Sequence, residues 1–181
     1  MLKQNPAIQA LYSIKWGDLS LICLYISVAS GIIVGLQYNV SEPYYSTVSL
    51  DLLVPFGSYF RSLHFYSSQL FFLFAVVHFC CVFNASDSYT NRRRVALVLT
   101  LPIILILLFT GYVLRDDSTG AAAGMIAEHI VLTIPLVGKL CNDLLFSISD
   151  HGMQRVYLHH VITFDILFLL LAWDHLRRYR V

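Results

Sequence analysis

Charged residues are missing from four stretches of this chain, and that absence constrains the fold more than any other feature. None occurs between Asp18 and Glu42, between Arg61 and Asp87, or between Arg94 and Arg115, and the stretch from Arg155 to Asp174 holds only Asp165. Each stretch can supply the roughly 20 apolar residues that a helix needs to cross about 30 Å of hydrocarbon. Of 181 residues, 57% are hydrophobic and 13% charged, too few charges to wet the surface of an ordinary soluble domain. The expected fold is all-α: a membrane four-helix bundle, one domain over 1–181, with spans at about 19–40, 58–85, 95–114 and 153–176.

The first 17 residues are polar and mildly amphipathic and read as a surface helix rather than a signal peptide, since no small-residue cleavage site follows. Between the third and fourth spans, about 119–148 reads as a short helical hairpin bent at Pro135 and Gly138. With four spans the termini share a side. That side carries Lys3, Lys15, Arg92–Arg94, Arg177, Arg178 and Arg180, eight of the twelve basic residues. The positive-inside rule then puts both termini on the negative side of an energy-transducing membrane. Cys23, Cys80, Cys81 and Cys141 form no CxxC or CxxCH spacing, which argues against a zinc site and a covalently attached c-type haem. No basic, aromatic-interleaved patch points to nucleic acid.

Ionisable groups inside a membrane are costly, so each is a functional candidate. The second span holds His64 near its positive-side end and His78 near its negative-side end. Fourteen residues rise about 21 Å and fall within roughly 40° of four whole turns, so both imidazoles share one side of the helix. The fourth span repeats the pattern with His160 and His175, 15 residues apart and about 60° off in the opposite sense. Two helices with histidines at matched depths build two stacked sites, His64 facing His160 and His78 facing His175. Imidazole is a good iron ligand, and two axial histidines fill the coordination of a haem iron, which favours electron transfer over oxygen binding. Structural zinc uses four ligands, where each site here would offer two.

At these residues the chain resembles the N-terminal, haem-binding half of cytochrome b, the central subunit of quinol–cytochrome c oxidoreductases. The resemblance covers nearly the whole chain. It is carried by Gly17, Gly31 and Tyr38, by Phe56-Gly57, Arg61, Leu63-His64 and His78, by Gly111-Tyr112-Val113-Leu114, by Ile134-Pro135-Leu136-Val137-Gly138, and by Arg155, Leu158, His160 and His175. It implies two non-covalent haem b groups in the same pairing, His160 rather than His159 as ligand, and a quinone or quinol. The 15-residue interval resembles the split, photosynthetic-type cytochrome b. Implied partners are a separate C-terminal-half subunit, an iron–sulfur protein and a c-type cytochrome.

In the family, glycines leave room for the macrocycle; Gly17, Gly31 and Gly111 match three of four such positions, while the fourth is Leu97. A tilted or displaced negative-side haem is expected there. Arg61 and Arg180 are candidates to neutralise haem propionates. The family continues after Leu114 with Pro-Trp and a nearby Gln, but here stands Arg115-Asp116-Asp117-Ser118, which puts a positive-side quinol site in doubt. Lys15 occupies the position of the split form's haem-attaching cysteine, and Asp165 stands where that form tends to have proline. Asp165 points about 140° away from His160, toward a partner subunit, a proton route or a local hydroxyl such as that of Thr163. The functional expectation is a dihaem electron-transfer subunit of a quinol-linked oxidoreductase, passing electrons between quinone and a redox partner. Its alternatives are a haem-free membrane anchor or assembly subunit, and a small transporter, for which broken helices and an inverted repeat are lacking.

Overall fold

A computed structural model describes residues 13–82, 90–148 and 152–178. The expected surface helix falls mostly outside these residues, and Arg180 falls outside them entirely. The described residues are helical and include no strand: α1 (Trp16–Gly35), α2 (Pro43–Leu52), α3 (Gly57–Val82), α4 (Asn91–Val113), α5 (Ser118–Leu132), α6 (Gly138–Leu145), α7 (Met153–Leu158), a π-helical turn (His159–Thr163) and α8 (Phe164–Arg178). Four of these runs are long and apolar enough to cross a membrane: α1, α3, α4 and the continuous run from Met153. The all-α membrane bundle read from the charge pattern is the architecture found.

The bundle is built from two helix pairs. Helix α1 packs along α3, and α4 packs along α8. The α1–α3 seam is made of small residues: Gly17, Ser20, Ser27 and Gly31 lie along one face of α1, where the serines are buried, and Ser67 is buried on α3. Small side chains let backbones approach closely in a membrane, where no hydrophobic drive separates helix from lipid. Hydroxyls at this seam return to backbone carbonyls, Ser20 to Phe71 at 3.4 Å, Ser30 to Ile26 at 2.6 Å and Ser67 to Leu63 at 2.6 Å. Large apolar side chains such as Ile22, Leu73, Leu105 and Leu170 face outward, as a lipid-facing surface requires.

Two clusters hold the pairs together. At mid-depth Phe71 of α3 meets Ile104 of α4 and Phe168 and Ala172 of α8. Near the His64 end, Val113 and Leu114 pack on Met153 and Val156. Tyr38, in the turn after α1, stacks on Tyr157 with centroids 5.2 Å apart and planes at 7°, and donates to the Leu114 carbonyl at 2.8 Å. Tyr157 in turn donates to the Gly35 carbonyl at 2.8 Å.

Helix α2 was not read from the sequence. It opens with Pro43 in its first turn, a position where the missing N–H costs nothing, and Arg61 of α3 grips its Asp51 through a two-pronged ion pair, Nε to Oδ1 at 2.7 Å. The hairpin α5–α6 bends at Pro135, where Leu136 takes a left-handed φ of 68°. Its interior is polar: the buried Glu128 accepts a hydrogen bond from Asn142 at 2.9 Å.

Candidate functional site

Helix α3 carries His64 and His78, and the run of the π-helical turn and α8 carries His160 and His175; α3 packs mainly against α1 and α8 against α4. Their imidazoles meet at two depths. The rings of His64 and His160 have centroids 6.2 Å apart at 87°, and those of His78 and His175 are 5.9 Å apart at 58°. Two imidazoles bound to one metal at ~2.0 Å, each with its ring centre about 1.1 Å behind the ligating nitrogen, have centroids ~6.3 Å apart. Both pairs therefore have the separation that a shared iron requires. Among the described residues no three of His, Cys, Asp and Glu gather as metal ligands. Two nitrogens per site suit a macrocycle that brings its own equatorial ligands, and not zinc.

The π-helical turn explains how unequal intervals produce matched pairs. The Phe164 N–H bonds back five residues to the His159 carbonyl, so one extra residue is absorbed within the helix. His160 and His175 are 15 residues apart in sequence but hold the relative rotation of positions 14 apart, which brings them into line with His64 and His78 on α3. The sequence carries no proline or glycine to mark this turn.

Hydrogen bonds orient the His64–His160 pair. The Nδ1 of His64 donates to the Ser27 carbonyl at 2.8 Å; a carbonyl only accepts, so the proton sits on Nδ1. Thr110 donates its hydroxyl hydrogen to the Ile106 carbonyl at 2.8 Å and so accepts from His160 Nδ1 at 3.0 Å. In both rings Nε2 keeps its lone pair and could accept a metal, the arrangement by which outer hydrogen bonds orient metal-bound imidazoles. His159 is engaged elsewhere: its Nε2 donates to the Leu144 carbonyl of α6 at 2.8 Å, and its Nδ1 accepts from Thr163 at 3.1 Å.

The glycines stand directly behind the histidines. A Cβ on Gly31 would lie 2.8 Å from His64 Cε1, on Gly111 2.9 Å from His160 Cε1, and on Gly17 3.1 Å from His78 Cε1. The room they provide is therefore room for the imidazoles. A chamber around His78 and His175 is lined mostly by apolar side chains, Leu97 among them, and by Arg94. Arg93 lies close enough to His175 to act on it electrostatically. Arg93 and Arg94 were read from the sequence only as topology signals; the place of Arg94 at the start of the third span, three residues before Leu97, was the clue to more. Arg61 is placed against Asp51 rather than beside a histidine.

The altered segment after Leu114 is a folded corner. Asp117 caps α5 by accepting from the Gly120 N–H at 2.8 Å, Arg115 pairs with Asp117 and lies over the Tyr112 ring, and Thr47 of α2 donates to the Arg115 carbonyl at 3.2 Å. The Gly120 N–H and the neighbouring Thr119 and Arg115 hold the Asp117 carboxyl below the usual range, whereas burial and the Asp117 charge raise that of Asp116.

The model of the family described as Cytochrome b/b6/petB matches residues 2–179. The chain belongs to the cytochrome b family. It is 27% identical over 173 residues to a cytochrome b6 of Heliomicrobium gestii, covering 91% of this chain and 81% of that protein. It is 27% identical over 169 residues to a cytochrome b6 of Euglena gracilis, covering 90% and 78%. Among solved structures, a chain of a hyperthermophilic respiratory Complex III shares the fold with a TM-score of 0.74 at 20% identity; the match takes in 90% of this chain and 46% of that one. This cytochrome b family member is thus an integral membrane protein of the electron-transport class, and it spans less than half the length of that structural relative.

Proposed function

We propose that this chain is a dihaem b-type cytochrome subunit that carries electrons across the membrane between a quinone or quinol and a redox partner. The observation that carries this reading is the pair of facing imidazoles at each of two depths, 6.2 and 5.9 Å between centroids. His64 and His160 would hold one haem b and His78 and His175 the other. When bound, each haem would supply a one-electron iron couple.

The chain's own residues do the rest. Ser27 and Thr110 hold the His64 and His160 rings at fixed rotation with Nε2 unprotonated. Gly17, Gly31 and Gly111 let α1 and α4 lie close behind those rings and behind His78. Phe71, Ile104, Phe168 and Ala172 form a dry wall between the two levels. Arg94, which lines the negative-side chamber, would offer charge for propionates there, the role that the sequence also suggests for Arg180. Arg61, already holding Asp51, would serve the positive-side propionates only by sharing its guanidinium. Both termini would lie on the negative side, with the quinone near the His78–His175 level and the redox partner at the other face. Partner subunits, among them a C-terminal-half chain, an iron–sulfur protein and a c-type cytochrome, would complete the complex.

A reduced-minus-oxidised spectrum with a pyridine haemochrome assay on the purified protein tests this. Two b haems per chain are expected, and His64→Ala should remove one while sparing the other. A chain without haem would be an anchor or assembly subunit instead.

A further inference from the structure

Asp165 lies in the first turn of α8, five residues past His160 and ten before His175, and so near the middle of the bilayer by helical rise. Its outer neighbours are apolar and face away from the bundle: Val161, Ile162, Ile166 and Leu169 are 40%, 48%, 51% and 47% exposed. The nearest hydroxyl is already committed. Because His159 Nε2 donates to the Leu144 carbonyl, its Nδ1 carries a lone pair and accepts the Thr163 hydrogen, which leaves Thr163 nothing to donate to a carboxylate. Among the described residues Asp165 makes no hydrogen bond and no ion pair.

Carboxyl groups at this depth pair with another group or face a water-filled cavity, and lipid tails offer neither. We infer that the outer face of the π-helical turn and α8 around Asp165 seats a transmembrane helix of another subunit that presents a cationic side chain at the depth of Asp165. The apolar neighbours supply the packing surface, and the single carboxylate fixes the register, as one polar group does within an apolar seam. A second copy of this chain is the poorer occupant, since a two-fold contact centred here would bring Asp165 toward its own like charge. The inference rests on the chain spanning the membrane and is independent of the haem reading.

The test uses the complex in its native membrane. A photo-crosslinking residue is placed at Ile162 or Leu169, one turn either side of Asp165, and the adducts are mapped by mass spectrometry. The expected adduct joins one transmembrane segment of a different subunit, with Lys or Arg within a turn of the linked position. Asp165→Leu should lower its yield roughly tenfold, since a hydrogen bond to a charged group is lost. Asp165→Asn, nearly isosteric and still hydrogen bonding, should lower it less. Exchanging the two charges between Asp165 and the partner's cation should restore it. Adducts only to lipid or to a second copy of the chain, or a yield unchanged in both variants, would overturn the inference. Absence of b-haem bands from the unsubstituted complex, with the adduct present, would count against the haem reading alone.

Discussion

Phe71 and Phe168 meet edge to face at the centre of the bundle, with centroids 5.5 Å apart and planes at 88°. Phe71 lies seven residues from both His64 and His78, and Phe168 lies eight from His160 and seven from His175. The contact therefore spaces the two histidine levels, and with Ile104 and Ala172 it closes the inner end of the chamber around His78 and His175. Phe71→Ala removes one side of this wall. A loss of about 3–5 kcal/mol is expected for a buried phenylalanine cut to alanine. Thermal bleaching of the Soret band in detergent should come at lower temperature, while the haem-to-protein ratio at 4 °C stays the same. Phe71→Leu should cost less than half as much, since it keeps most of the volume. Equal melting of Phe71→Ala and the parent would remove the wall from the account.

The three glycines are graded by their clearance. A methyl group at Gly31 or Gly111 would press on His64 or His160 at 2.8 and 2.9 Å, distances at which something must move, whereas at Gly17 the 3.1 Å approach to His78 needs only a few tenths of an ångström. The rings of His64 and His160 are pinned by Ser27 and Thr110 and cannot swing away freely. Gly31→Ala and Gly111→Ala should therefore each lower the haem content from two toward one, and Gly17→Ala should retain both. A pyridine haemochrome assay reads the ratio directly. If all three variants keep two haems, these backbone positions are ordinary helix packing.

The bundle was legible from the sequence because long charge-free runs have few alternatives in three dimensions. The pairing of histidines by depth was legible because helical rise is nearly constant. What escaped the sequence lies where tertiary contacts override local pattern. Helix α2 has a mixed composition, Pro43 to Leu52, and is held by the Arg61–Asp51 pair and the Thr47 contact with Arg115 rather than by its own periodicity. The π-helical turn at His159–Thr163 has no marker residue, so the 15-residue interval read as a rotation in the wrong sense. The interval alone could not tell a misaligned ligand from an extra residue absorbed in the helix. Arg94 was invisible as a chamber residue because a run of three arginines at a span boundary is explained well enough by topology.

Thr110 offers a test that separates orientation from simple packing. Its hydroxyl accepts from His160 Nδ1 at 3.0 Å while donating to the Ile106 carbonyl. Valine has nearly the same shape and no acceptor. Thr110→Val should remove the hydroxyl acceptor of the His160 N–H and leave it only the Leu107 carbonyl, lower the basicity of Nε2, and weaken haem retention at that level by about 10-fold. The reduction potential of that haem should rise, because a less basic ligand stabilises the ferric state less. Thr110→Ser should behave like the parent. A redox titration followed at the α-band should show one component displaced and the other unmoved; displacement of both, or of neither, would separate Thr110 from His160.

The corner at Asp116 and Asp117 carries opposed pH effects. Asp117 is held below its usual range, first by the Gly120 N–H, so its contribution is fully present above the unfolded value of about 3.9 and is lost as the pH falls through its lower folded value. Asp116 is raised by burial and by the Asp117 charge, so its ionisation opposes the fold at neutral pH, and protonation on mild acidification relieves that cost. Acidification should therefore first tighten this corner slightly and then loosen it. Asp117→Ala should weaken the start of α5 by about 1 kcal/mol, the usual cost of losing an N-cap. Asp116→Asn should strengthen it at neutral pH, because asparagine tolerates the left-handed φ of 51° at that position without the charge. Protection of the Gly120 and Ala121 amides from hydrogen exchange, corrected for the intrinsic pH dependence, reports both effects. A corner in which Asp116→Asn loosens the same amides would mean that the Asp116 carboxylate has a stabilising partner after all.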